Sequence, residues 1–355
     1  IVKIDGTNVA GVKLTNNDVF KKLRGDKGTK VNVAIYRRGE KELLDFEITR
    51  DKIPLYSVDA SYMAEPGTGY IKISRFADST VEEFKQALTK LKGEGMTSLI
   101  LDLSGNGGGY LNRAIELADE FLSDNKMIVY TEGRSNPKQE YLSSSVGGFE
   151  KGKLVVLIDE SSASASEIVS GAIQDWDRGL IIGRRSFAKG LVQKPFTLPD
   201  GSAVRLTIAR YYTPSGRCIQ KSYEKGDEDY DMDLSNRFKH GELYSADSIK
   251  FNDSLRFETQ QSKRTVYGGG GIMPDIFVGL DTTMNSKYQS DLIRKSVLYD
   301  FALSYTDNNR KKLLENFLST VQRYHYLLHC TVAIPLKQNH NNSTQKRFAI
   351  FELPL

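Results

Sequence analysis

An apolar run that leads directly into a stretch of small residues most constrains the fold of this chain. Residues 154–158 have the length and composition of a buried strand, and residues 168–173 have those of a buried helix. Between them, residues 162–167 read Ser-Ala-Ser-Ala-Ser-Glu, so the pattern predicts strand, tight turn and helix. Ser164 would then lie at a helix N-terminus, where free backbone N–H groups favour negative charge. The turn is either a simple helix cap or the position of a serine nucleophile.

Strand and helix patterns alternate along the middle of the chain. Short apolar strands are predicted at residues 69–73, 99–103 and 179–183. Amphipathic helix patterns lie between the strands, one of them behind a capping-box sequence formed by Ser79 and Glu82. Repeated units of this kind predict an α/β fold with parallel strand pairs.

The first fifty residues follow a different pattern. Alternating apolar residues at 31–35 and 44–48 flank a turn, and a short helix pattern precedes them. This order of elements resembles the later two-thirds of a PDZ domain, and a generic small β-rich domain is the alternative. As a partial PDZ domain, residues 1–52 would bind an extended peptide by adding it to a sheet edge. The carboxylate-binding loop of such a domain would precede Ile1.

Composition and motif spacing argue against several classes of function. The net charge is only +4 and basic residues are mixed with acidic ones, so no nucleic-acid surface is predicted. Cys218 and Cys330 form neither a metal-binding pair nor a disulfide framework, and no apolar run approaches the ~18 residues of a membrane span. The aspartates at 227–233 lack the glycine and glutamate of a calcium loop, which predicts a solvated, mobile loop. His325 and His329 lack a third ligand, so we predict no metal and no cofactor.

A lysine rather than a histidine is predicted as the base for a serine nucleophile. Of the four histidines, only His240 lies in the core segment, and its polar neighbours predict an exposed loop. Lys189 follows Ser164 by 25 residues and has mainly apolar neighbours. Burial among apolar groups favours the neutral amine, which is the form that can accept a proton. Gln193 would orient this amine without restoring its charge.

A glycine-rich turn at residues 104–109 supplies the remaining element of such a site. Acyl transfer needs backbone N–H donors aimed at the developing oxyanion, and glycine lets the backbone approach closely. The N–H of Gly108 or Gly109, together with that of Ala165, is predicted to provide two donors. The turn lacks the lysine and hydroxyl residue of a P-loop, so phosphate binding is not predicted.

Four motifs together resemble the carboxyl-terminal processing peptidases, the tail-specific serine proteases of the serine–lysine type in peptidase family S41. They are Ser-Ala-Ser-Ala-Ser-Glu at 162–167, Phe-x-Lys-Gly-x-x-Gln at 187–193, Ala-Arg-Tyr-Tyr-Thr-Pro-Ser-Gly-Arg at 209–217 and Gly-Gly-Gly-Gly-Ile-x-Pro-Asp at 268–275. The resemblance implies that Ser164 is the nucleophile, with Lys189 and Gln193 as its partners. It also implies a crotonase/ClpP-like α/β protease core that carries a mainly β PDZ domain.

Three positions depart from the family pattern. Ser104 and Gly107 stand where the family has arginine and proline, which predicts a looser glycine turn. Ala188 replaces a glycine, a mild change unless residue 188 must take a positive φ. The resemblance ends near residue 316. The implied organisation is a partial PDZ domain at 1–52, a serine protease core at 53–300 and a C-terminal extension of undefined character at 301–355.

The resemblance implies a serine endopeptidase that processes or degrades proteins from their C-termini through an acyl-enzyme. One alternative is a catalytically impaired peptide-binding scaffold of the same family. Another is acyl-CoA chemistry of the crotonase type, which the spacing of Ser164, Lys189 and Gln193 disfavours. The implied partners are proteins or peptides with unstructured C-termini, and an activating adaptor or a homo-oligomer is compatible with the family. The family also implies export to the periplasm or cell envelope.

Overall fold

A computed structural model describes residues 1–315, apart from residues 38, 54, 124, 145, 224–225, 251 and 282–285. Contacts divide the chain into two compact units, Ile1–Tyr56 and the residues from Ser57 onward. The histidines at 325, 329 and 340, Cys330 and most of the predicted C-terminal extension lie outside the described residues. Within the described part, no helix is long and apolar enough to cross a membrane.

The first unit is a small antiparallel sheet with one helix. Its elements are β1 (Lys3–Ile4), β2 (Thr7–Asn8), α1 (Asn16–Leu23), β3 (Lys30–Ile35) and β4 (Leu44–Thr49). The strands lie in the order β2-β1-β3-β4, and all neighbouring pairs are antiparallel. Every second residue of β3 faces the small core, where Val31 and Val33 pack with Ile4.

The second unit contains the remaining helices and strands. In chain order they are β5 (Val58–Glu65), β6 (Thr68–Ile73), α2 (Thr80–Gly93), β7 (Ser98–Asp102), α3 (Leu111–Asp119), β8 (Met127–Gly133), β9 (Asn136–Leu142), β10 (Lys153–Ile158), α4 (Ala165–Asp175), β11 (Leu180–Gly183), β12 (Leu191–Thr197), β13 (Ala203–Tyr212), α5 (Asp227–Lys239), β14 (Arg256–Glu258), β15 (Thr265–Tyr267), β16 (Ile276–Phe277), α6 (Lys287–Arg294) and α7 (Val297–Glu315).

The main sheet of this unit has the strand order β16-β11-β10-β7-β6-β5. Its pairs are parallel except for β5 with β6, so the predicted parallel pairs are confirmed. Helices α2, α3 and α4 share one hydrophobic core with the sheet, which buries Phe84, Leu117 and Val156 among others. The carboxyl ends of neighbouring parallel strands lie at the same edge. The glycine turn after β7 therefore lies beside the serine turn after β10.

A second, antiparallel sheet has the order β12-β13-β8-β9. Its edge strand β12 forms a hairpin with β13, and the pairing shifts register between Val192 and Gln193. All side chains at residues 193–207 are exposed, so this hairpin extends away from the hydrophobic core.

Two local predictions are wrong. Ser79 forms no capping-box contact with Glu82, because its hydroxyl donates to Glu83 Oε1 instead (2.6 Å). The aspartates at 227–233 lie in helix α5 rather than in a solvated loop. Tertiary contacts explain the helix: the buried Lys221 ammonium donates to Asp233 (3.3 Å), a partner that no local pattern identifies.

Candidate active site

The three serines of the turn have different environments. The hydroxyl of Ser162 donates to the carbonyl of Leu103 (2.8 Å), and that of Ser166 donates to the carbonyl of Asn106 (2.9 Å). Both serines are completely buried. Ser166 holds the serine turn against the glycine turn, and Ser162 holds it against Leu103, the residue just before the glycine turn. Ser164, between them, is only half-buried. Of the three hydroxyls, that of Ser164 alone belongs to a side chain with substantial solvent access.

The backbone of Ser164 is strained. Its φ of 55° and ψ of −108° lie in a region that side-chain-bearing residues rarely adopt. Such conformations cost on the order of 1–3 kcal/mol and persist where the surroundings enforce them, often at functional sites. Ser164 is the residue immediately before helix α4. The first N–H group of the helix is therefore that of Ala165, the residue next to Ser164.

Glu167 links the serine turn (residues 162–167) to the segment around Lys189 (residues 186–190, here called the lysine segment). Its carboxylate is completely buried and accepts four hydrogen bonds. Oε2 accepts from the N–H of Ser164 (2.7 Å) and from the N–H of Lys189 (2.9 Å). Oε1 accepts from the N–H of Ala188 (2.7 Å) and from the hydroxyl of Ser186 (2.5 Å). One carboxylate oxygen thus places the backbones of the predicted nucleophile and the predicted base side by side.

Burial and hydrogen bonding act on Glu167 in opposite directions. Loss of water raises the pKa of this carboxyl group, and the donors at Ser186, Ser164, Lys189 and Ala188 lower it. Burial is the larger effect, so the pKa of Glu167 lies above its ordinary value.

The side chains of Lys189 and Gln193 are less enclosed than the backbone that carries them. Lys189 is half-buried, and no carboxylate in the described part of the chain lies within ion-pair distance of its amine. Gln193 is exposed on β12, and among the described residues no hydrogen bond joins its side-chain amide to Ser164 or Lys189. The structure therefore brings Ser164 and Lys189 together through their backbones, and it leaves Gln193 outside this cluster.

The lysine segment is also held from its other side. The side-chain oxygen of Gln220 accepts from the N–H of Gly190 (2.8 Å), and the N–H of Lys221 donates to the carbonyl of Ala188 (3.3 Å). The guanidinium of Arg237 in α5 donates to the carbonyl of Ser186 (3.0 Å). Ala188 takes a φ of +75°, the positive value that favours glycine. The exchange of glycine for alanine at this position is therefore not a mild one.

The glycine turn lies directly against the serine turn. A side-chain carbon at Gly108 would lie 2.8 Å from the carbonyl oxygen of Ala163 and 3.0 Å from the nitrogen of Ala165. Only glycine permits this approach. The N–H of Gly108 donates to the side-chain oxygen of Asn106 (2.9 Å). Asn106 is buried, and its side-chain nitrogen Nδ2 donates to the carbonyl of Ile73 (2.9 Å).

Of the two predicted glycine donors, Gly108 is thus occupied within its own turn. The N–H groups of Gly109 and Ala165 have no hydrogen-bond partner among the residues that the structure describes. Gly109 packs against Phe76, whose carbonyl oxygen would lie 2.0 Å from a side-chain carbon at residue 109. Of the predicted donors, the N–H groups of Gly109 and Ala165 are therefore the two that are not bonded within the described part of the protein in this conformation.

Sequence reasoning missed the two residues that connect these turns, Glu167 and Asn106. A signal for Glu167 was present, because serine followed by glutamate three residues later is the sequence of a capping box. No local signal reveals that the same carboxylate reaches the segment at 186–189. Within the described ranges, no group of three or more histidine, cysteine, aspartate or glutamate side chains is arranged to hold a metal ion.

Comparisons with known proteins agree on one family. Residues 67–230, which include Ser164 and Lys189, match the model of peptidase family S41. The chain is 35% identical over 261 residues to the carboxy-terminal processing protease CtpB of Bacillus subtilis, covering 73% of this chain and 52% of that protein. It is 39% identical over 225 residues to the carboxy-terminal-processing protease of Bartonella bacilliformis, covering 62% of this chain and 51% of that protein.

Among solved structures, the photosystem II D1 C-terminal processing protease aligns with a TM-score of 0.46 and 27% identity, over 78% of this chain and 62% of that one. The chain spans about half the length of the two curated relatives. With the family model matched over the segment that carries the serine turn and the lysine segment, the chain belongs to peptidase family S41.

Proposed function

We propose that this protein is a serine endopeptidase that processes or degrades proteins from their C-termini through an acyl-enzyme on Ser164. The observation that carries the proposal is the shared carboxylate of Glu167, which places the backbone of Ser164 beside that of Lys189. The burial of Ser162 and Ser166 supports Ser164 as the nucleophile, because neither neighbour is available to a substrate.

In the proposed reaction, the neutral amine of Lys189 takes the hydroxyl proton as Ser164 Oγ attacks the peptide carbonyl carbon. The tetrahedral intermediate then breaks the peptide C–N bond, and the Lys189 ammonium returns its proton to the leaving amine. Water, deprotonated by the same amine, hydrolyses the resulting ester and regenerates the serine. The N–H groups of Gly109 and Ala165 would stabilise the oxyanion, with Gly108 supporting the turn.

Gln193 has the proposed role of orienting the Lys189 amine. Because Gln193 is exposed on β12, this role requires the start of the strand to adjust so that the amide turns towards Lys189. Closure of an active site on substrate commonly involves such local movements.

Several finer features are part of the same proposal. The α/β unit would be a crotonase/ClpP-like core at residues 53–300, and residues 1–52 would be part of a PDZ domain that captures peptide ends. The relatives are named as carboxy-terminal processing proteases, which supports proteins or peptides with unstructured C-termini as substrates. Export to the periplasm or cell envelope, an activating adaptor and a homo-oligomer are further expectations from the family.

The proposal is tested with casein, a disordered protein, and with a fluorophosphonate probe that labels activated serines. Wild type should cleave casein and take up one probe molecule, located on Ser164 by mass spectrometry. Ser164→Ala should lose both properties. Lys189→Arg should also lose them, because a guanidinium stays charged and cannot accept the proton.

Ser162→Ala is the matched control for Ser164→Ala. It removes a hydroxyl two residues away that is buried and bonded to the carbonyl of Leu103, so cleavage should persist at reduced stability. Cleavage by Ser164→Ala, or labelling of another serine, would refute the assignment.

The second candidate function is a catalytically impaired peptide-binding scaffold. It is favoured by the altered glycine turn, by the positive φ of Ala188 and by the exposed position of Gln193. This candidate predicts that wild type binds a casein peptide but neither cleaves it nor takes up the probe.

A further inference from the structure

The edge of the second sheet begins beside the candidate active site. Strand β12 starts at Leu191, two residues after Lys189, and it is the outermost strand in the order β12-β13-β8-β9. An edge strand presents a row of backbone N–H and C=O groups that can pair with another extended chain. This edge is therefore continuous with the lysine segment of the site.

Two hydrogen bonds determine which groups of β12 face outward. The N–H of Tyr211 donates to the carbonyl of Gly190 (2.8 Å), and the N–H of Leu198 donates to the carbonyl of Ser202 (2.7 Å). In an antiparallel pair, residues alternate between bonding to the partner strand and facing away from it. Counting from either end gives the same outward set: Leu191, Gln193, Pro195 and Thr197.

Pro195 limits how far this edge can pair. Proline has no N–H, and within sheets it is confined to edge strands with its nitrogen facing away from the partner strand. Leu191 and Gln193 each retain an outward N–H and an outward C=O. The part of the edge able to pair fully is thus the part nearest Lys189.

We propose that the polypeptide substrate binds as an added strand along the outer edge of β12, pairing with Leu191 and Gln193. The inference rests on the proposed function, since it specifies how that site would hold its substrate. Leu191 and Gln193 lie two residues apart on β12, and a strand rises about 3.3 Å per residue, so the paired stretch covers about three substrate residues. Backbone pairing needs a chain whose own N–H and C=O groups are free, which an unstructured segment has and a folded one lacks.

The first test uses the full chain carrying Ser164→Ala, so that binding is measured without cleavage. The probe is a fluorescein-labelled synthetic decapeptide that contains no proline and no repeated sequence, so that every residue after the first carries an N–H and one register is favoured. Affinity is read by fluorescence anisotropy. Single N-methyl groups, placed at each residue in turn, remove one N–H each. Loss of affinity by about tenfold should alternate, affecting every second residue over the paired stretch.

A loss that is equal at consecutive residues, or no loss anywhere, would overturn the proposal. So would the absence of measurable binding by the unmethylated peptide. Because Ser164→Ala cannot form an acyl-enzyme, these outcomes are independent of the labelling and cleavage that test the proposed function.

The second test locates the binding edge. Pro195→Ala restores an outward N–H at the next pairing position, so the decapeptide should bind about twofold to tenfold more tightly. The alternating pattern should also gain one more sensitive residue. The matched control is Pro199→Ala, which changes a proline in the connection between the two hairpin strands and should leave affinity unchanged. If Pro195→Ala and Pro199→Ala bind the decapeptide with equal affinity, the peptide does not bind along the outer edge of β12.

Discussion

The serine turn and the lysine segment form the two halves of the candidate site, and they are built differently. In the serine turn, side chains provide the anchoring, since the buried hydroxyls of Ser162 and Ser166 bond to the carbonyls of Leu103 and Asn106. In the lysine segment, the backbone is anchored instead, through the carboxylate of Glu167 and the amide of Gln220. The side chains of Lys189 and Gln193 remain half-buried and exposed, respectively.

This difference indicates that one half of the candidate site is rigid and that the side chains of the other half can adjust. The serine turn is preorganised, because its position follows from a buried parallel strand and an enforced backbone conformation. The lysine segment has its backbone in place, and in the proposed mechanism the side chains of Lys189 and Gln193 adjust when a substrate lies along β12. Variants that disturb the shared anchor should therefore affect both halves, whereas variants in one turn should have smaller, local effects.

The largest effect is expected from Glu167→Ala. It leaves four donors without their acceptor, two of them on the buried residues Ser186 and Ala188, at about 1–3 kcal/mol for each buried donor that finds no substitute. We expect a loss of about 3–5 kcal/mol in the free energy of unfolding, measured by urea denaturation. Activity measured on the folded fraction should fall by about 10²-fold or more, because the two halves lose their alignment.

Ser162→Ala is the comparison for that experiment, since it removes one hydroxyl from the serine turn alone. It should cost about 1–2 kcal/mol and leave most activity. Similar losses in the two variants would contradict the view that Glu167 connects both halves.

The second prediction concerns pH. Because burial holds the pKa of Glu167 above its ordinary 4.5, the folded state binds this proton more tightly than the unfolded state. The contribution of Glu167 to stability is therefore complete below pH 4.5, and it decreases as the pH rises through the folded-state pKa. Urea unfolding of wild type and Glu167→Gln at several pH values isolates this effect. All other carboxyl groups are present in both proteins, so their contributions cancel in the difference between the two free energies of unfolding.

The stability of wild type relative to Glu167→Gln should fall with rising pH and then level off. A relative stability that rises with pH would mean that the four donors outweigh burial and lower the pKa of this group.

The third prediction concerns strain in the lysine segment. Glycine adopts the φ of +75° at residue 188 without the strain that alanine has there. Ala188→Gly also makes the unfolded chain more flexible, which opposes this gain. The balance should stabilise the fold by about 0.5–1 kcal/mol. Ala163→Gly is the control in the serine turn, because Ala163 is also buried but has no positive φ. It should destabilise by about 1 kcal/mol. Changes of the same sign in the thermal midpoints of the two variants would contradict the strain argument.

The smallest effect is expected from Gly107→Pro. Gly107 has no positive φ, and no atom lies within 4 Å of a side-chain carbon built on it. Proline should therefore fit, keep or raise activity, and stabilise by about 0.5 kcal/mol through the unfolded chain. Gly108→Ala is the control next to it, and the contact with the Ala163 carbonyl should make that variant strongly destabilised. Loss of casein cleavage by a folded Gly107→Pro would show that residue 107 needs a backbone shape closed to proline.

Much of the architecture could be predicted from local patterns. The apolar runs at 99–103, 154–158 and 179–183 predicted parallel strands, and these became β7, β10 and β11 of the main sheet. The patterns work because central parallel strands are buried on both faces and their residues must be apolar. The prediction of a loop at the aspartates of α5 was wrong because a helix with exposed acidic residues has no strong apolar pattern. Such a helix depends on contacts with distant residues, such as that of Lys221 with Asp233.

By itself, the sequence determined the α/β class, the family resemblance and the set of residues from which a site is built. Small residues, glycines and apolar runs carry that information because their constraints act within a few residues. Only the tertiary structure showed that Ser164 is half-buried between two fully buried serines, that Gly108 donates within its own turn, and that Ala188 has a positive φ. It alone joined Ser164 to Lys189 through Glu167, because hydrogen bonds between segments distant in sequence exist only after the strands have assembled.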